Sequence, residues 1–184
     1  MVKRLLFVFG AIMVTCFALV AIGSQLSTHY EVSRGVVIQA PIEKIFPLFG
    51  DLANWPQWEP FSSNDPSSKT TLGERTTGVG ASQSWAGKGN QGRLTFTACD
   101  ASTGIDYDLV FTNGEHDSPA KSWMHMSPRP DNSVELVWGM KGEMNWPVIG
   151  GYFAMFADRL IGRHFARGLA QLKTVAEAKG PGAK

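Results

Sequence analysis

From Tyr152 to Ala178 apolar side chains return at spacings of three and four: Tyr152, Phe153, Phe156, Leu160, Ile161, Phe165, Leu169, Leu172 and Val175. That periodicity predicts one amphipathic helix about 40 Å long, at 1.5 Å rise per residue. Arg159, Arg163, Arg167 and Lys173 lie largely off the stripe. A single helix of this length has to bury its dry side against something equally wide, and it can cross a whole sheet.

The residues ahead of it supply the strands. Tyr30 to Gln39 alternates, with Val32, Arg34, Val36 and Ile38 on one side, which predicts strand. Further short alternating runs between glycine-rich turns place strands near 69–72, 78–87, 91–99, 104–112, 120–127 and 133–143, as an antiparallel meander should. In the last of these Val134, Leu136, Trp138 and Met140 share a face. After the first strand, Ile42, Ile45, Phe46 and Phe49 follow helical spacing, while Pro47 inside the pattern removes a backbone bond and predicts a short or kinked helix ending at Gly50. Trp55 and Trp58, three residues apart, fall on one side of a second short helical turn. Asn145 to Gly151, with Pro147 and two glycines, reads as a connector. The fold class is α+β.

Leu5 to Ile22 carries no charge and is nearly long enough as a helix to cross a hydrocarbon core of about 30 Å. We read residues 1–23 as a transmembrane anchor, 24–29 as a linker, 30–178 as one folded domain and 179–184 as a frayed tail. A cleaved secretory signal is the rival reading, since Ala21 and Gly23 are small, but the apolar run exceeds the usual 7 to 15 residues. Lys3 and Arg4 precede the run and Gly23 to Glu31 has no Lys or Arg. The positive-inside rule therefore expects a single-pass protein of the inner membrane, its N-terminus in the cytoplasm and its domain on the periplasmic or extracellular side.

The chain has 17 basic and 16 acidic residues, two of the basic ones being Lys3 and Arg4, so the domain is nearly neutral. That balance argues against nucleic acid as a partner, because phosphate binding draws on clustered Lys and Arg. Cys99 is the single thiol outside the apolar run and cannot form an internal disulfide; it reads as a small strand-end residue.

The order strand, short helices, meander and long closing helix resembles the SRPBCC superfamily, which is START-like and birch-pollen-allergen-like. The segment VVIQAPIEKIF, Val36 to Phe46, looks like that family's strand running into "AP-x-E-x-V-F". NWPQWEPF, Asn54 to Phe61, looks like its "NWP-x-W-x-PW" segment, and Val79-Gly80-Ala81 with Trp85 resembles its "G-x-G-x-x-x-x-W" strand. The polyketide cyclase/dehydrase-like branch matches best, through Gly92-Arg93-Leu94 and a helix ending Gly168-Leu169-Ala170-Gln171-Leu172-Lys173. The resemblance covers roughly residues 30 to 178 and implies a helix-grip fold, a curved antiparallel sheet of about seven strands around the final helix. It also implies a cavity for an apolar guest, but no particular reaction.

Strand parity and the helix stripe nominate Trp58, Phe61, Trp85, Trp138, Met140, Phe153, Phe156 and Leu160 as the lining of such a cavity, although large apolar side chains are first of all packing. For proton transfer the weak candidates are His125 and Glu59. His125 shares parity with Trp123 against Met124 and Met126, and either set could face inward; only an inward His125 suits acid–base work. No cofactor is expected. No metal is expected either, because the strand directs Met124 and Met126 opposite to His125. The first expectation is a membrane-anchored carrier or binding protein for a hydrophobic small molecule or lipid. The alternatives are a polyketide cyclase/dehydratase-like enzyme and a non-catalytic interaction module.

Overall fold

The computed structural model describes residues 2–60, 67–88, 91–112, 117–144 and 146–178. Helix α1 (Val2–Gly23) is followed by strand β1 (His29–Ile38), helix α2 (Ile42–Gly50) and a 3-10 segment (Leu52–Gln57). Strands β2 (Lys69–Leu72), β3 (Ser82–Ala86), β4 (Gln91–Asp100), β5 (Gly104–Thr112), β6 (Asp117–Pro128) and β7 (Val134–Glu143) come next, and helix α3 (Ile149–Glu177) closes the domain. The tail 179–184 lies outside the described residues.

All seven strands form one antiparallel sheet in the order β1-β7-β6-β5-β4-β3-β2. This is the α+β helix-grip arrangement, with α2 and the 3-10 segment carrying the chain from one sheet edge to the other. Pro47 sits inside α2, which ends at Gly50. Register aligns the alternating side chains into rows across the sheet. One row runs Phe96, Tyr107, Ser122, Met140, Val32, and the next runs Cys99, Ile105, Met124, Trp138, Arg34. The apolar parities of β1 and of β4 to β7 thus converge on one concave face, whose side chains are largely buried.

The starts of β3 and α3 differ from expectation for local reasons. Strand β3 starts at Ser82 and not at Gly78, because Gly78 and Gly80 adopt φ of 73° and 86° and turn the chain. Helix α3 begins at Ile149, inside the segment read as a connector. Gly150 and Gly151 are its buried first turn, and a Cβ on either would strike the Met144 carbonyl or Leu26.

The helix α3 lies along β1. Arg34, on the concave side of β1, reaches over it: Nη1 donates to Asp158 Oδ1 at 2.8 Å and Nη2 to Oδ2 at 2.9 Å. Gly162 leaves the room that this guanidinium needs. Farther on, Lys173 Nζ donates to the Val37 carbonyl at 2.8 Å and the Gln39 amide donates to Glu177 at 2.6 Å. The Asp158 carboxyl is held below the ordinary carboxylate range, first by its hydrogen bond from Arg34. The clasp is therefore whole above the usual carboxylate pKa and is lost as pH falls through the lowered folded value. Acid titration followed by near-UV circular dichroism should show α3 loosening below about pH 4, where carboxylates normally titrate. In Asp158→Asn that part of the acid response should be missing.

Candidate functional site

The eight residues expected to line a cavity separate into distinct surroundings. Trp58, Trp138 and Met140 are buried at 1%, 1% and 6% exposure. Trp138 stacks on Phe165 of α3, ring centroids 4.2 Å apart, and meets the edge of Trp58 at 5.4 Å. Trp58 in turn touches Trp55 at 5.3 Å, which meets Tyr107 at 5.7 Å. This half of the gap between sheet and helix is filled with indoles. Trp85 stands over Gly92 and against the edge of Phe111 at 5.7 Å, half-buried in a row at the other end of the sheet. Phe153, Phe156 and Leu160 are exposed, a correction to the stripe read from the sequence. Phe61 lies outside the described residues.

Helix geometry accounts for the exposed three. In the first half of α3 the buried positions are small, Gly150, Gly151, Ala157 and Gly162, so the helix approaches β1 closely there. At 3.6 residues per turn, Phe153, Phe156 and Leu160 then fall opposite Asp158 and Gly162, the residues that meet Arg34. From Phe165 onward large side chains return to the buried face, with Phe165, Leu169 and Leu172 at 0–1% exposure. Tyr152, Phe153, Phe156, Arg159 and Leu160 outline an open groove of about 260 Å³. Trp146 stands edge-on to Phe153 at 5.2 Å.

The groove sits beside the end of α1. Tyr152 Oη donates to the Leu19 carbonyl at 2.8 Å. Gly23 packs so closely under Val148 and Tyr152 that a Cβ there would collide with the Val148 carbonyl. Within α1 the stretch Leu6–Gly23 is apolar and exposed; only 6% of it is buried.

The proton-transfer candidates do not meet this groove. Met124 and Met126 are the inward pair, so His125 points to the outer face, its Nε2 2.8 Å from Asp106 Oδ1. That overturns a pocket role for His125. Glu59 is half-buried just after the 3-10 segment. The buried polar group that sequence reasoning missed is Tyr107, whose Oη accepts from Trp138 Nε1 at 2.9 Å and also bonds Ser122. Ser122 Oγ then donates to the Gly139 carbonyl at 2.6 Å. Tyr107 and Trp138 were both on inward parities, but their meeting depends on the register between separate strands.

Burial pushes the Tyr107 phenol up to about 12 from 10.0. The fold holds it neutral, so its stabilising effect is whole below pH 10 and drains away as pH climbs toward 12. Tyrosinate absorbance on alkaline titration should therefore leave one of the three tyrosines silent until the domain unfolds. Tyr107→Phe should remove that late step and cost about 1–3 kcal/mol, because Trp138 Nε1 and Ser122 lose their partner.

Comparison with known proteins agrees with this architecture. The family model described as polyketide cyclase / dehydrase and lipid transport matches residues 29–177. No curated protein sequence matches the chain. Among solved structures, a protein from Thermobifida fusca aligns with TM-score 0.56 at 20% identity, over 79% of this chain and 92% of its own. The hypothetical protein jhp0584 from Helicobacter pylori aligns with TM-score 0.60 at 10% identity, over 80% and 88%. Ara h 8.0201 aligns with TM-score 0.54 at 12% identity, over 80% and 95%. At such identities these likenesses speak to the fold alone. With its sheet, closing helix and matched span of residues 29–177, the chain belongs to the polyketide cyclase / dehydrase and lipid transport family.

Proposed function

We propose that this protein is a membrane-anchored binding or carrier protein for a hydrophobic small molecule or lipid, and that the guest lies in the groove on the first half of α3. The observation that carries this reading is the placement of that groove against the last turn of an apolar, exposed helix. A guest leaving the bilayer would meet Phe153, Phe156 and Leu160 first. Affinity would come from apolar burial, at about 25 cal/mol per Å² before ordering costs. Arg159 at the groove edge would suit an anionic head group.

The family to which the chain belongs covers both polyketide chemistry and lipid transport. Carriage is favoured over catalysis here because His125 faces the outer surface and the buried Tyr107 is engaged on both sides by Trp138 and Ser122. The full chain, purified in detergent and exchanged into nanodiscs, should carry extractable lipid. It should also bind a fluorescent fatty acid such as cis-parinaric acid in competition with that lipid. Repeated absence of both would end the carrier reading.

A further inference from the structure

We propose that the first three turns of α3 lie within the interfacial layer of the bilayer that α1 crosses, so that the groove opens onto lipid and not onto water. This deepens the reading just given and rests on α1 being a membrane span. Among the described residues, seven large hydrophobic side chains are exposed outside α1. Five of them, Ile149, Phe153, Met155, Phe156 and Leu160, fall within the first twelve positions of α3. Singly exposed apolar residues are ordinary, whereas a contiguous apolar face marks a surface that something covers.

Depth, charge and volume all point to a bilayer as that cover. The Tyr152–Leu19 hydrogen bond sets the start of α3 level with the last turn of α1, which is where a spanning helix reaches the head groups. Tyr152 and Trp146 are there, the residue types that favour this layer. Along the exposed face the order is Ile149, Phe153, Phe156, Leu160 and then Arg163 and Arg167, each three or four residues on. Phe156 to Arg163 is about 10 Å of helix, so within two turns the side chains on this face change from ones that suit acyl chains to cations that suit lipid phosphates, the mixture an interfacial helix presents. The single carboxylate between Trp146 and Lys173 is Asp158, which is turned away and held by Arg34. A second copy of the chain, packed two-fold on the same face, would instead set Arg163 and Arg167 near their own kind. Finally, an open groove of about 260 Å³ is smaller than the ~300–1,000 Å³ clefts that enclose a guest alone. One wall would have to come from outside the chain, and lipid tails would provide it.

The test uses the full chain with Cys16→Ala and Cys99→Ala, reconstituted in vesicles of phosphatidylethanolamine with a minority of phosphatidylglycerol. Nitroxide labels are placed singly through Phe17→Cys, Phe156→Cys and Ser127→Cys, all at exposed positions. Collision with oxygen, which concentrates in lipid, is compared with collision with an aqueous nickel chelate. The expected result is an oxygen-to-nickel ratio at 156 several-fold above that at 127 and below that at 17, as an interfacial depth requires. A ratio at 156 equal to that at 127, while 17 reports lipid, would overturn the docking of α3 and leave the anchor standing. An aqueous signature at 17 would overturn the anchor and the docking with it. Spin–spin broadening at 156 that vanishes on dilution with unlabelled protein would assign the face to a second copy and also overturn the proposal.

Discussion

Replacing Trp138 with alanine is expected to cost about 3–5 kcal/mol of folding stability, the range for deleting a large buried aromatic. The indole is 1% exposed and stacked on Phe165. Its loss leaves a cavity between sheet and α3 and also strips the Tyr107 hydroxyl of its donor. Urea denaturation followed by far-UV circular dichroism gives the free energy directly. Phe165→Ala should cost a similar amount, and the double variant should cost less than both together, since each single change already empties the same stack. A loss below 1 kcal/mol for Trp138→Ala would mean that the aromatic layer does not join the helix to the sheet.

The second large effect concerns the guest and not the fold. In Phe153→Ala and Phe156→Ala the altered side chains are already 42% and 51% exposed, so stability should change little. A guest covering about half of a phenylalanine's roughly 200 Å² would lose about 2.5 kcal/mol on its removal, roughly sixtyfold in Kd. Titration with cis-parinaric acid in nanodiscs measures this, and Trp85→Phe on the far row of the sheet serves as the comparison. Affinity that fell with Trp85→Phe and not with Phe156→Ala would move the guest to the Trp85–Phe111 end of the sheet.

The two substitutions divide what could be learned from the chain alone. Alternation along β1, β5 and β7 placed Val32, Tyr107 and Trp138 on inward faces, because a half-buried strand writes its burial into every second residue. Strand β6 began earlier than alternation suggested, at Asp117, because Pro119 interrupts the pattern. Pro119 is tolerated there since β7 pairing starts only at Ala120, leaving a vacant side for its missing N–H. Contacts between rows, such as Trp138 with Tyr107, need a register that no single strand discloses.

The candidate site was legible in outline only. Spacings of three and four identify the apolar residues of α3, but a stripe of large side chains marks the buried face only in the second half of the helix. In the first half of the helix the reverse holds. Gly150, Gly151, Ala157 and Gly162 were the available signal, since a line of small residues lets a helix settle close to a strand and turns its bulky groups outward. The inward direction of Met124 and Met126 was undecidable locally, because Trp123 and His125 are as compatible with a half-polar interior as with a surface.

An open sheet keeps two edges, and this one treats them differently. The β1 edge is occupied by α3, whose Lys173 and Glu177 take the backbone groups of Val37 and Gln39. The β2 edge is four residues long and exposed throughout, with Lys69 and two threonines on it, so its unpaired ladder extends for only about 13 Å. If α1 anchors the chain as proposed, copies held in one plane would meet one another far more often than in free solution. A short, charged border of this kind denies neighbouring copies a template for strand addition, which would keep a crowded population from zipping into fibres.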